Sequence, residues 1–379
     1  MDMQVTNLNR ALAELGPQFA GVADMHDDEG SFVADNYRAM KEHRIFSALV
    51  PIELGGGGRS YTEMTGFVRG LGSHCGSTAL ALAMHQHLVA AAVWNYRNGN
   101  PGQKLLEAVA SDEKVLVSTG ANDWVASNGT AERTDGGFLV TAKKPFGSGG
   151  PAGNIIVTSA CYEDPEQGMQ VLHFPVPMTA DGVSSADDWN SMGMRGTGSH
   201  TLILEKVFVP DASVVVRRPQ GMYHPLWNIV ITVAMPLITS AYLGIADAAR
   251  AKAEAIARKN SADDLLCLQL GELNNHHTFA DMALRDMIAT VDDWNFVNDV
   301  QIASGILTRK TIAAEAAQRT VRASIEIAGG MGFLKRFGFE RLLRDVTGSQ
   351  FHPLPEKKQQ IFAGRVALEC DPATGEATN

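Results

Sequence analysis

The spacing of apolar positions divides the chain into three regions with different predicted structure. Up to residue 113 apolar residues recur every three to four positions, as in YTEMTGFVRGLG and STALALAMHQHLVAAAVWNY, which predicts amphipathic helices. From 114 to 218 short runs rich in Val, Ile, Thr and Phe, such as NIIVTSAC and TLILEKVFV, alternate with turn residues, which predicts an antiparallel sheet or small barrel. From 219 to 379 long Ala-rich amphipathic segments predict a helical bundle. The fold class is therefore α+β and mostly α, with three domains in that order.

One apolar segment is long enough to raise the question of a membrane. From Pro219 to Ala246 no residue carries a formal charge, and about 20 apolar residues suffice to cross a bilayer. The segment also contains His224, Asn228 and Pro236, so a helix buried within a protein bundle is favoured and no membrane contact is expected. The first residues, MDMQVTNLNR, lack a basic stretch followed by an apolar run, and the four cysteines are widely spaced without a CxxC pair. These features predict a cytoplasmic protein.

Charge and motif spacing exclude several classes of function. The 42 acidic and 32 basic residues give a net charge of −10, which disfavours nucleic-acid binding because a phosphate backbone attracts a basic surface. The segment GSGGPA (Gly147–Ala152) matches a dinucleotide-binding fingerprint, but a predicted strand follows it where that fingerprint requires a helix. His85 and His87 stand two apart on a predicted helix and point in different directions, so no metal site is expected.

Four segments, in order along the chain, resemble sequence motifs of the acyl-CoA dehydrogenase superfamily of flavoproteins. They are KKPFGSGG, WNSMGMRGTGSHTLILEKVFVP (Trp189–Pro210), LGELNNHHTFADM (Leu270–Met282) and GGMGFLKRFGFERLLRD (Gly329–Asp345). The resemblance covers nearly the whole chain. It implies an N-terminal helical domain (1–113), a central antiparallel β domain (114–218) and a C-terminal four-helix bundle (219–379). It also implies a bound FAD in preference to FMN, and a homotetramer or dimer with flavin sites near subunit interfaces.

The same resemblance implies which residues hold the flavin. In the β domain they are Ser118 or Thr119 at the pyrimidine edge of the isoalloxazine, Phe146 packed on the ring, and Ser148 near the reactive nitrogen. Core packing is the alternative for Phe146, and a turn between strands is the alternative for Ser148. In the bundle, three glycines and an arginine are implied to reach the diphosphate or adenosine, the glycines from a neighbouring subunit: Gly329, Gly330, Gly332 and Arg258. A helix C-cap is the alternative for the glycines, and a solvated helix charge is the alternative for the arginine.

The chain departs from the superfamily at the catalytic base. A dehydrogenase of this family removes a proton next to a thioester and needs a carboxylate, which most members carry as the Glu of a YEGT motif. Here the corresponding stretch is GSQFHPLPEKKQQ, with His352 nearest to the expected Glu, and the family's other position for the base falls on Ala234 and Met235. His352 is therefore the candidate catalytic base, since histidine titrates near neutral pH, and Glu356 is an alternative.

Three functions follow from the resemblance and from this departure. The first is α,β-dehydrogenation of an acyl-CoA-type thioester, with an electron-transfer flavoprotein as partner. The second is a two-component monooxygenase of the same fold, which takes reduced flavin from a flavin reductase, uses oxygen and needs no such base. The segments FGSG and GMRGTGSH, with His200, resemble those enzymes, although a strand-entry residue is the alternative for His200. The third is a non-catalytic flavin-fold binding protein. The first is the leading hypothesis because the resemblance along the whole chain is to dehydrogenases, and in the first two the substrate is a small molecule.

Overall fold

The N-terminal region folds into helices around a shared apolar interior. The computed structural model describes residues 7–120, 123–260 and 262–377. The helices are α1 (Leu8–Glu29), α2 (Ala34–Glu42), α3 (Tyr61–His74), α4 (Gly76–Arg97) and α5 (Gln103–Asp112). A capping box starts α3, where Ser60 Oγ accepts from Glu63 N and the Glu63 carboxylate accepts from Ser60 N. Because α4 is apolar on nearly all sides, it is buried along most of its length.

The central region is an eight-stranded sheet with an apolar cluster of its own. The strands are β1 (Leu116–Ser118), β2 (Thr130–Thr134), β3 (Gly137–Lys144), β4 (Ile155–Asp164), β5 (Gly168–Pro177), β6 (Val183–Ser185), β7 (Leu202–Pro210) and β8 (Val216–Pro219). Their order is β6-β7-β3-β2-β4-β5-β8, with β1 beside β4. The predicted antiparallel pairing holds along this path, except for one parallel bridge between Thr130 of β2 and Cys161 of β4. β1 arrives from the helical region and pairs with β4 in the same direction, so the sheet is mixed.

The C-terminal region is a bundle whose long helices are α6 (Leu226–Ala257), α7 (Asp264–Val291) and α8 (Val300–Ala328), followed by α9 (Gly330–Phe333), α10 (Phe339–Thr347) and α11 (Glu356–Ala367). By length and composition α6 could cross a membrane, but 94% of its most apolar window is buried inside the bundle. Burial of this kind is typical of the core helix of a bundle. The predicted arrangement of helical regions on either side of a central sheet is confirmed.

Two glycines bring the N-terminal helices into backbone contact with the bundle. A Cβ on Gly72 of α3 would clash with the backbone of α6, and a Cβ on Gly244 of α6 would clash with the backbone oxygen of Arg69 in α3. Arg69 also donates to Asp247 of α6 (2.6 Å) and to Asp281 of α7 (2.5 Å) across the same junction. One apolar core consequently runs from α1 to α11 and holds α4, α6 and α8 close to the segment between α10 and α11.

Candidate functional site

His352 lies in the segment between α10 and α11, where Pro353 and Pro355 prevent a continuous helix. Its ring contacts α6: Tyr242 Oη and His352 Nε2 are 2.7 Å apart, and the two rings pack edge to face with centroids 5.4 Å apart. Lys310 of α8 donates from Nζ to the backbone oxygens of His352 (2.9 Å) and Leu354 (3.1 Å). The imidazole is thereby fixed by two helices of the bundle.

The protonation states of His352 and Tyr242 are set by burial. Desolvation lowers the pKa of His352 to about 3, and the positive charges of Lys310 and of protonated His87 act in the same direction. Burial raises the pKa of the Tyr242 phenol well above its usual value. At neutral pH both side chains are therefore uncharged, and the hydrogen bond joins a phenol to a neutral imidazole. A group with so low a pKa is a weak general base.

A second histidine, His87 of α4, lies near His352. Its charge affects the titration of His352, and the residue is only 4% exposed. Burial lowers the pKa of His87 to about 4, so this ring is also neutral at neutral pH. Its Nδ1 lies 3.3 Å from Ala83 O, one turn earlier in α4. The helices α4 and α6 and the segment before α11 therefore each contribute an uncharged polar side chain to this region: His87, Tyr242 and His352.

The acidic residues closest in sequence to His352 are engaged elsewhere. Asp345 of α10 is 2% exposed, its Oδ1 accepts from Met194 N at 2.5 Å, and burial raises its pKa to about 6. Glu356, in the first turn of α11, is exposed and forms an ion pair with Lys357 at 2.7 Å. In the described part of the chain, no Asp or Glu forms a hydrogen bond with the His352 ring.

The turn after β3 places hydroxyl groups beside an exposed aromatic ring. Ser148 Oγ is 2.8 Å from Ser199 Oγ, which is 2.7 Å from Thr197 Oγ1, so the three hydroxyls form a buried chain. Phe146 has a φ of +66° and is 44% exposed. Its ring packs edge to face against Trp189, with centroids 6.2 Å apart. Core packing therefore does not explain Phe146, because much of the residue reaches the surface.

His200 holds the loop that carries Trp189. Its Nδ1 accepts from the backbone N of Asp188 at 3.1 Å and of Trp189 at 3.0 Å. The structure thus gives His200 the role of a strand-entry residue with backbone hydrogen bonds. Through Trp189 it supports the aromatic surface beside Phe146.

β1 is fixed to the helical region at its start and leads to two candidate hydroxyls at its end. Leu116 N donates to His85 Nδ1 at 2.9 Å, which ties the strand to α4. Ser118 ends the strand and is 7% exposed. Thr119 is 1% exposed, and its Oγ1 donates to Thr158 Oγ1 of β4 at 2.8 Å. The Thr119 hydroxyl is therefore committed to the sheet, and Ser118 is the better placed of the two for a ligand.

The structure separates Arg258 from the β-domain candidates. It follows the last residue of α6, whose 32 residues span about 48 Å. Its side chain is 79% exposed. Because the other end of α6 follows β8, contact between Arg258 and a flavin on the β domain stays a prediction that requires a neighbouring subunit.

The three candidate glycines lie where α8 ends. Gly329 is the C-cap of α8 with a φ of +54°, a conformation that favours glycine, and Gly330 begins α9. A Cβ on Gly332 would clash with Ile325 of α8, so this glycine allows close packing of the two helices. The C-cap alternative therefore accounts for Gly329. A contact of these residues with the cofactor stays a prediction.

The residues of the β domain fit a flavin. An isoalloxazine ring needs an apolar surface for its face and hydrogen-bond donors for its polar edge. Phe146 and Trp189 supply an aromatic surface, and the Ser148 hydroxyl at the end of the chain can accept a hydrogen bond, since its proton is donated to Ser199. Tyr37 Oη is buried without a partner among the described residues and lies 2.8 Å from where a Cβ on Gly149 would stand, in the same turn. The turn thus combines a donor that lacks a partner with a glycine that leaves space beside it.

Comparison with known proteins agrees with this geometry. Residues 11–113 match the family model for the N-terminal domain of acyl-CoA dehydrogenase, and residues 233–352 match the model for its C-terminal domain. The chain belongs to the acyl-CoA dehydrogenase superfamily. Members of this family are flavin-dependent oxidoreductases, so the sequence-based assignment to such an enzyme is confirmed.

Relatives of two kinds are similar to the chain along most of its length. The probable acyl-CoA dehydrogenase YngJ of Bacillus subtilis is 23% identical over 97% of this chain and 100% of its own. The dibenzothiophene monooxygenase of Rhodococcus erythropolis is 24% identical over 90% of this chain and 88% of its own. The solved structure of XiaF from Streptomyces sp. in complex with FADH2 and glycerol has a TM-score of 0.82 at 21% identity, and the match covers 96% of each chain. The superfamily therefore includes relatives named for dehydrogenation and for monooxygenation.

Sequence reasoning did not identify Tyr242 or Lys310, and it considered His87 only as a metal ligand. Lys310 has the clearest signal, because it interrupts an apolar stripe on α8 whose positions are three or four residues apart. The stripe consists of Ala303, Leu307, Lys310, Ala314, Ala317 and Val321, all buried. A charged residue at such a position is rarely buried without a specific role. Tyr242 lies in the charge-free run from 219 to 246, in which the family's base would be a carboxylate and a tyrosine gives no such signal.

Proposed function

We propose that the protein is a flavin-dependent monooxygenase that uses reduced FAD and oxygen to oxygenate a small-molecule substrate. The observation that carries the proposal is the contact between His352 and Tyr242. Where most family members carry a catalytic Glu, this chain has an imidazole hydrogen-bonded to a phenol, and both are uncharged at neutral pH. This function takes the place of acyl-CoA dehydrogenation as the leading hypothesis.

Proton abstraction next to a thioester requires a base that gains a proton at the working pH. With a pKa of about 3, His352 would be protonated at pH 7 at a cost of about 5 kcal/mol, from 1.36 kcal/mol per pH unit. That cost would add to the barrier of the reaction. Part of this cost comes from the neighbouring Lys310 ammonium, because a second positive charge beside a protonated imidazole is repulsive.

Oxygen transfer makes different demands on the site. Reduced FAD would supply two electrons, with one oxygen atom passing to the substrate and the other leaving as water. The protein then has to exclude bulk water and donate hydrogen bonds to an oxygen atom that becomes negatively charged. Within the Tyr242–His352 pair, one partner keeps an N–H or O–H that their mutual hydrogen bond does not use, and this group can donate without adding a net charge. The low polarity that makes His352 a weak base also strengthens the hydrogen bonds it donates.

Two relatives support this proposal. One is named as a dibenzothiophene monooxygenase, and the other, XiaF, was solved in complex with FADH2. An enzyme that consumes reduced flavin needs a source of it. We therefore propose a flavin reductase, in place of an electron-transfer flavoprotein, as its partner. The cytoplasmic location stays a prediction.

The reaction of the reduced protein with oxygen tests the proposal. The FAD-loaded protein is reduced anaerobically, mixed rapidly with oxygenated buffer and followed by its absorbance. We expect a species that lives for seconds or longer and whose spectrum differs from those of reduced and oxidised flavin. His352→Ala and Tyr242→Phe should each shorten its lifetime. The control is His43→Ala, since the contact described for this ring is a long one of 3.7 Å to Glu14.

A second experiment tests the competing function directly. Oxidised protein is mixed anaerobically with a panel of acyl-CoA thioesters, and the flavin absorbance is recorded. We expect no bleaching. Bleaching by any thioester, together with direct return of the reduced protein to oxidised flavin in oxygen, would establish dehydrogenation in place of oxygenation.

A further inference from the structure

We propose that Lys310 is a positioning residue that holds the His352 imidazole in place against Tyr242. For its effect on catalysis this inference rests on the proposed function. The position and the charge of His352, however, can be measured without any flavin chemistry. The two hypotheses therefore fail in different experiments.

The segment that carries His352 has few internal hydrogen bonds of its own. Pro353 and Pro355 have no backbone N–H to donate, and their rings exclude helical continuation. The backbone oxygens of His352 and Leu354 are bound by the single Nζ of Lys310, at 2.9 and 3.1 Å. One ammonium group therefore bridges two carbonyls on either side of Pro353. Rotation of the segment would break both contacts.

Two further hydrogen bonds join α8 to the residues on either side of the His352 segment. Gln318 Nε2 donates to Ser349 Oγ at 3.3 Å, and Gln359 Nε2 donates to Thr308 Oγ1 at 3.1 Å. Lys310 binds the backbone between these two contacts, at the residue that carries the His352 ring. These contacts keep the distance between α8 and the backbone of the segment fixed, so that the ring can meet Tyr242 of α6.

The charge of Lys310 is unusual for a residue that only binds carbonyl groups. It is 3% exposed, and among the described residues no carboxylate lies within ion-pair distance of its Nζ. Burial of an ammonium without a counter-ion is costly, and it lowers the pKa of Lys310 to about 8. A neutral amide could donate to the same two carbonyls at a lower desolvation cost. What the ammonium adds is a positive charge, which lowers the pKa of the neighbouring His352 imidazole.

The titratable groups around His352 come from each helix packed against it. They are Tyr242 of α6, Lys310 of α8 and His87 of α4, while Asp345 of α10 acts on Tyr242. At neutral pH Lys310 is the cation that acts directly on His352. Its field opposes protonation of the ring and so preserves the uncharged pair with Tyr242.

Three variants separate the two effects of Lys310. Lys310→Met removes both the hydrogen bonds and the charge, and Lys310→Gln keeps an amide donor while it removes the charge. The control is Lys252→Met, because Lys252 also donates from Nζ to a carbonyl, Phe337 O at 3.1 Å, but at an exposed site. Amide hydrogen exchange across residues 348–355 reports the position of the segment. NMR titration of the His352 ring, assigned with His352→Gln, reports its charge.

In Lys310→Met we expect exchange in the segment to accelerate about tenfold or more, since protection follows the local opening equilibrium. We expect the titration midpoint of His352 to rise by about one pH unit or more, because the neighbouring cation is gone. Lys310→Gln should raise the midpoint with a smaller change in exchange, and Lys252→Met should change neither. Unchanged exchange and an unchanged midpoint in both Lys310 variants would overturn the inference.

The oxygen experiment then connects the position of His352 to function. In Lys310→Met the lifetime of the long-lived species should fall about tenfold, and Lys310→Gln should recover part of it, as a misplaced donor stabilises the developing charge less well. If the wild-type protein forms no such species, the proposed function fails, while exchange and titration still decide the role of Lys310. A wild-type lifetime in Lys310→Met would refute the catalytic consequence.

Discussion

The buried ion pair between Lys144 and Asp123 allows a quantitative test of how the β domain is held together. Lys144 Nζ lies 2.5 Å from Asp123 Oδ2 and 2.9 Å from Asn128 O, and the two side chains are 0% and 3% exposed. The pair ties the segment after Thr119 to the end of β3, directly before the turn that carries Phe146. Asp123→Asn keeps the shape of the side chain and removes its negative charge. We expect this change to lower the free energy of unfolding by about 3–5 kcal/mol.

The upper limit follows from the pKa of lysine. Without Asp123, Lys144 must either keep a buried charge without a counter-ion or lose its proton when the chain folds. Neutralising a lysine with an ordinary pKa of about 10.4 costs about 4.6 kcal/mol at pH 7, so the penalty cannot exceed roughly this value. The unfolded variant would then bind one proton more than the folded one. Its stability relative to wild type should therefore recover by about 1.4 kcal/mol per pH unit as the pH rises towards the unfolded pKa.

Urea unfolding followed by circular dichroism at pH 7, 8 and 9 measures both the loss and its recovery. The control is Arg133→Gln, which breaks the exposed pair with Asp211, whose partners are 50% and 48% exposed, and should cost less than about 1 kcal/mol. The double variant Asp123→Asn/Lys144→Met should regain most of the loss, because no unpaired charge remains. If Asp123→Asn costs no more than Arg133→Gln, or if its cost does not shrink with pH, the reasoning is refuted.

Acid stability, flavin binding and subunit association provide three further tests. Burial holds the pKa of His85 and of His87 at about 4, below the ordinary 6.5, so their contribution to stability is complete above pH 6.5 and is lost as the pH falls towards 4. The loss is about 2 kcal/mol per ring at pH 5, and a urea midpoint that stays constant from pH 7.5 to 4.5 would contradict it. Ser148→Ala removes a hydroxyl from the proposed flavin surface and should weaken FAD binding about tenfold in a fluorescence titration, whereas unchanged affinity would remove Ser148 from the site. Phe279 is 57% exposed on α7, and Phe279→Glu should lower the molar mass measured by light scattering if that face joins subunits of the predicted tetramer or dimer; an unchanged mass would place the interface elsewhere.

The order of helices and strands could be predicted because apolar periodicity is a local property of the chain. The parallel pairing of β1 with β4 could not, since it joins Leu116 to Ile155 across two intervening strands and depends on how distant strands come together in the sheet. Burial of α6 could be predicted from its polar interruptions, such as Asn228 and Pro236. The backbone contact at Gly72 and Gly244 that buries it is visible only once α3 and α6 are packed.

In the cluster of His352, Tyr242, Lys310 and His87, His352 is the residue whose place in a functional site could be predicted from the sequence. His352 was found because it occupies the place of a family Glu, but the residues that determine its chemistry are distant in sequence. Tyr242 precedes it by 110 residues and Lys310 by 42. Such contacts arise from helix packing, and periodicity shows only that Lys310 lies on an apolar stripe. Arg258 illustrates the opposite case, because its largely exposed side chain at the far end of α6 agrees with the solvated helix charge that the sequence analysis gave as the alternative.

The environment of His352 also explains why a histidine there is not equivalent to the family's glutamate. In an exposed loop an imidazole titrates near neutral pH and can accept a proton. Between Tyr242 and Lys310 the same ring is buried, has a pKa of about 3 and stays uncharged. A glutamate in this place would be opposed by burial but favoured by the Lys310 ammonium, so it could stay ionised and act as a base. A neutral imidazole in this buried place is thus a weak base that can still take part in hydrogen bonds. Oxygen transfer, which needs a hydrogen-bond donor and no base, is for this reason the function that we propose.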